Sequence, residues 1–174
     1  MRELEAKLDV LRERILACRS QDGALLVVYS PTDELSFRQR YAEIIQEARG
    51  HEVSLVELDF RTLPFEVLQA KSLLEKAFTL DANGSRDAHQ SLARMVQGNA
   101  TAHVVEAGKK HSASIICCHS PASLFPWISY SSLLEAVEAS ITNTLVLPFP
   151  GEESGSALHF LSAKDGYNYR ATRI

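Results

Sequence analysis

The sequence predicts a three-layer α/β/α fold, a Rossmann-like parallel sheet with an antiparallel hairpin at its C-terminal edge. Helix-period and strand-like runs alternate from the first residues, the pattern of a sheet covered on both faces. Runs such as ALLVVY are continuously apolar, as strands buried on both faces require. Near the end, Asp165-Gly166 is a favoured two-residue hairpin turn between ALHFLSAK and YNYRATRI.

Leu4, Leu8, Leu11, Ile15 and Leu16 recur at helical spacing, so Arg2 to about Cys18 reads as an amphipathic helix before Gly23. Ala24 to Tyr29 is the first strand, and Ser30, Pro31, Thr32 and Asp33 form a turn and a helix start. Phe37, Tyr41, Ile44 and Ile45 share one face of a helix from Glu34 to Ala48, with Gly50 just past its end. Val53, Leu55 and Leu58 alternate in a second, less buried strand over His51 to Phe60. Pro64 opens a helix to about Phe78, and Asp81, Asn83, Gly84 and Ser85 mark a loop. The helical pattern from Asp87 to about Lys110 is weakened by Gly98 and Thr101, and its continuity there is left open. Ser112 to Cys118 and Asn143 to Phe149 are the third and fourth strands, separated by the aromatic loop SLFPWISY and a helix bearing Leu133, Leu134, Val137 and Ile141.

At 174 residues the chain is read as one domain, 1–174, long enough to bury roughly two-thirds of its unfolded surface. A net charge of -4 argues against direct nucleic-acid binding, which needs concentrated Lys and Arg. The first residues lack the unbroken apolar centre of a signal peptide, and no run has membrane-spanning length. Three cysteines without CxxC spacing argue against a disulfide framework, so a cytoplasmic location is expected.

Ligands of open parallel sheets bind beyond the carboxyl ends of the strands, which here carry Ser30, Asp59, His119 with Ser120, and Gly151 with Glu152. A small hydrolase-like site could use His119, Ser120, Asp59 and Glu152, although nothing like GxSxG accompanies them. Cys117 and Cys118 point to opposite faces of a strand and read as small buried hydrophobes rather than metal ligands. With neither GxxxxGK[ST] nor GxGxxG, no cofactor and no metal is expected. Phe125, Trp127 and Tyr130 either pack over the strand ends or anchor a partner protein. Arg170 and Arg173 either guard an edge strand or pair with charges across an interface.

PFPGEESG followed by AKDGYNYRATRI resembles the closing signature of the BrxB domain family, an apolar strand, a Pro-Gly turn and a Lys-Asp-x-x-Tyr-Tyr-Arg-like strand. VVYSPTDELSFRQR is similar to that family's first strand, Tyr-Pro turn and Arg-bearing helix, and HEVSLVELDF to its second strand. The glycine-rich entry before the first strand is reduced here to SQDGA. The resemblance implies a component of BREX, a bacteriophage exclusion system. It further implies a noncatalytic adaptor working beside a PglZ-like phosphatase-like protein, a PglX-like adenine methyltransferase and a BrxC-like ATPase, with self-pairing left open. On that reading the partner-binding residues are Phe125, Trp127, Tyr130, Glu152, Tyr167, Tyr169, Arg170 and Arg173.

Overall fold

A computed structural model describes residues 2–17, 23–82, 86–125, 127, 130–154, 157–160 and 171–174. Helix α1 (Arg2–Leu16) precedes strand β1 (Ala24–Tyr29), then come α2 (Glu34–Gly50), β2 (Leu55–Asp59), α3 (Leu63–Ala70), α4 (Leu74–Ala82) and α5 (Arg86–Lys110). Strand β3 (Ile115–His119), α6 (Tyr130–Glu138), β4 (Leu145–Ser154), β5 (Ala157–Phe160) and β6 (Thr172–Arg173) complete the described elements. The sheet runs β2-β3-β4-β1-β6 with every neighbouring pair parallel, and β5 joins β4 antiparallel.

Period-two alternation sorts each strand between two cores. Leu25, Val27, Tyr29, Ile115, Cys117 and Val146 face α1 and α2, where Leu8, Leu11, Phe37, Tyr41 and Ile45 meet them. Leu26, Val28, Ile116, Cys118, Leu147 and Phe149 face the other way, against Val96, Ala100 and Val104 of α5 and Leu133, Leu134 and Val137 of α6. Helices therefore cover both faces, and the expected α/β fold with a parallel sheet is the observed one. The two cysteines fall on opposite faces, both fully buried.

An antiparallel pair that local pattern did not indicate joins β4 to β5, Gly151 opposite Phe160 and Ser154 opposite Ala157. Strand β4 runs on to Ser154, so β5 finds a partner across the shortest chain closure. Residues 161–170, including the Asp-Gly turn, lie outside the described residues. Beyond them β6 runs parallel to β1, with Leu25 opposite Thr172, and Ile174 N donates to Leu26 O at 2.9 Å. No Cβ fits at Gly151, where one would stand 2.3 Å from the backbone oxygen of His159.

The helix expected from Pro64 to Phe78 is two helices. Ser72 adopts a left-handed φ of 56°, Leu73 N donates to Leu68 O and Ser72 N to Gln69 O, a Schellman ending without glycine. Helix α2 runs through Gly50 and closes in the same way at Glu52, φ 59°. Helix α5 is continuous across Gly98 and Thr101. Leu92, Val96, Ala100 and Val104 keep one buried stripe along α5, and this packing outweighs the weak propensity of an exposed glycine.

Candidate functional site

The ladder between β3 and β4 pairs only Ile116 with Leu145 and Cys117 with Val146, stopping before Pro148 and Pro150. Proline cannot donate to a ladder, so β4 stays paired with β1 while its β3 side is released. A cavity of about 160 Å³ lies at the strand ends, lined by Tyr29, Asp59, His119, Ser120, Pro148 and Pro150 together with Glu34, Phe37, Arg38 and Tyr41 of α2.

Its carboxylates are occupied. Glu34 accepts from Tyr29 Oη at 2.6 Å on one oxygen and from Arg38 Nε at 2.6 Å on the other. Asp59 accepts from Arg61 N at 2.9 Å, Arg61 Nε at 2.8 Å and Arg61 Nη2 at 2.6 Å. The Arg61 side chain holds the Asp59 carboxyl below its ordinary range. Burial, and then the bond to Glu34, push the Tyr29 phenol up.

His119 ends β3 on the face covered by α2, its ring 5.3 Å from that of Tyr41. Its Nε2 lies 2.7 Å from Glu57 Oε2 without hydrogen-bond alignment, and Glu57 is also bridged by Arg49. Tyr41 Oη is buried, without exposed surface, beside the Cys117 thiol. Ser120 is left-handed, φ 50°, and directs its chain into the 3₁₀ turn Pro121–Leu124, where Ser123 Oγ donates to Phe60 O at 2.5 Å.

Asp59, His119 and Ser120 thus share one cavity, whereas exposed Glu152 lines a second of about 270 Å³ with Lys7, Ser30 and Asp33. No hydrogen bond joins Ser120 Oγ to His119 among the described residues. The same residues contain no group of three metal-ligating side chains and no helix long and apolar enough to cross a membrane. Sequence reasoning missed Arg38, Tyr41 and Arg61 as cavity residues. The usable signals were the Asp-x-Arg spacing after β2 and the position of the SPTDEL turn, which brings the first turns of α2 over the strand ends.

The aromatic residues divide. Tyr130 is buried and donates its hydroxyl to Pro148 O at 2.8 Å, so it belongs to the core. Trp127 is half-buried, 6.3 Å from the His89 ring. Phe125 is 47% exposed, yet its ring lies 5.2 Å from Phe160, which in turn contacts Tyr130 and Phe149. Arg173 is half-buried on β6, while Tyr167, Tyr169 and Arg170 lie outside the described residues.

Residues 56–174 match the family model described as BREX protein BrxB. The match spans the closing signature and the middle segment and begins inside β2, leaving VVYSPTDELSFRQR outside it. Comparisons with curated proteins and with solved structures found no match.

Proposed function

The chain belongs to the BrxB family of BREX anti-phage components, and from that premise we propose that it is a noncatalytic assembly subunit holding other proteins of that system. Phe125 carries the proposal. An aromatic side chain seated on Phe160 and half open to solvent offers apolar area while losing little conformational freedom on binding. Trp127, Glu152 and Arg173 are assigned to the same binding role, and Tyr167, Tyr169 and Arg170 join them on the family resemblance alone; Tyr130 packs beneath Phe160. Among the described residues no hydrogen bond links Ser120 Oγ to His119, as a Ser-His hydrolase requires, and this favours binding over chemistry.

The test co-expresses the tagged chain with the PglZ-like, PglX-like and BrxC-like proteins of its host and measures capture at moderate salt. At least one is expected to co-purify, with Phe125→Ala lowering its capture about tenfold, the scale of one anchor aromatic. Undiminished capture by a Phe125→Ala, Arg170→Ala variant would overturn the proposed surface. Recovery of the chain alone would overturn the adaptor role.

A further inference from the structure

The hydrogen-bonding capacity at the strand-end cavity is one-sided. Both oxygens of Glu34 and both of Asp59 accept bonds from Tyr29, Arg38 and Arg61. The donors are not exhausted. Arg38 commits only Nε to these pairs and Arg61 only Nε and Nη2, so both guanidinium groups retain N–H groups. Ser120 Oγ lines the same cavity and makes no hydrogen bond to a described residue.

The walls add a second constraint. Phe37, Pro121, Pro148 and Pro150 are apolar, and about 160 Å³ is close to the space that holds one aromatic ring in an apolar cavity. Arg38 and Arg61 are 53% and 66% exposed, which places their charges at the mouth. We propose that this cavity binds a small organic oxyanion, a carboxylate or phosphate monoester, its compact apolar body against Phe37 and the prolines and its charged end between Arg38 and Arg61. A guanidinium matches either oxyanion with two parallel N–H groups. This site is separate from the Phe125 surface and does not depend on the adaptor reading.

The experiment titrates the full chain with phenyl phosphate, benzoate, inorganic phosphate and benzyl alcohol while following backbone amide NMR signals. Phenyl phosphate or benzoate is expected to give saturable shifts at Tyr41, His119 and Ser120, and the tighter of the two identifies the preferred head group. Inorganic phosphate, without the apolar body, and benzyl alcohol, without the charge, should each bind at least about tenfold more weakly. Arg61→Gln should weaken the better anion by a similar factor. Arg38→Gln, at an exposed position that should leave the fold intact, should weaken it severalfold. The proposal is overturned by the absence of saturable shifts from either organic anion, by benzyl alcohol binding equally well, or by affinities that both substitutions leave unchanged.

Discussion

Two glycines in α5 should respond in opposite directions to the same change. Gly98 is exposed with nothing within 4 Å of an added Cβ, whereas at Gly108 that atom would lie 2.6 Å from Ile141 Cγ2 and 2.9 Å from Asn143 Oδ1. Alanine in a helix interior is worth about 1 kcal/mol over glycine at both positions. At Gly108 the gain meets a wall that yields poorly, because buried Asn143 is tied by its Nδ2 to His111 O and Ser114 O, each at 2.8 Å. Overpacking of this kind costs about 1–3 kcal/mol. Gly98→Ala should therefore stabilise by about 1 kcal/mol, and Gly108→Ala should destabilise by about 0–2 kcal/mol, the cost less the shared gain. For a chain of this length each kcal/mol moves Tm by about 2–4 °C. Urea denaturation monitored by circular dichroism, with slopes compared, measures both variants. Ile141→Ala combined with Gly108→Ala should recover about 1 kcal/mol or more beyond additivity, since it removes the nearest obstructing methyl. Equal effects of the two glycine substitutions, or no coupling to Ile141, would refute the packing argument.

Burial pushes the Cys117 thiol up to about 12 and the Cys118 thiol well above its ordinary value, so neither should be alkylated in the folded protein at neutral pH. Peptide mass spectrometry after iodoacetamide treatment, with and without denaturant, checks this, and rapid native labelling at either position would contradict it. Asp59 should titrate below its ordinary value of 3.8 by NMR and move up toward it in Arg61→Gln. Because its folded value is depressed, the associated stability is present above pH 3.8 and lost as pH falls through the folded value. The wild-type advantage over Arg61→Gln should shrink accordingly in acid.

Local pattern was sufficient for most of the layer order. Continuous apolar runs marked β1 and β3 as buried on both faces, helical spacing marked the faces of α1, α2 and α6, and period two placed Cys117 and Cys118 on opposite sides. Strand-end position was also enough to bring Asp59, His119 and Ser120 forward as neighbours. Tertiary contacts settled the rest. Strand β5 pairs with the extension of β4 and β6 with the free side of β1, because strand partners are chosen by available edges, which local pattern does not display. Weak propensity at Gly98 was overridden by a buried stripe along α5, while Ser72 and Glu52 close helices left-handed without glycine. Tyr130 and Phe125 lie five residues apart in the run SLFPWISY, yet Tyr130 opens α6 and is buried with its hydroxyl on Pro148 O, whereas Phe125 is 47% exposed. The cavity belongs to the same class. Arg38 and Tyr41 come from α2 and Arg61 from the turn after β2, and they converge only because two prolines free β4 from β3 at the carboxyl edge of the sheet.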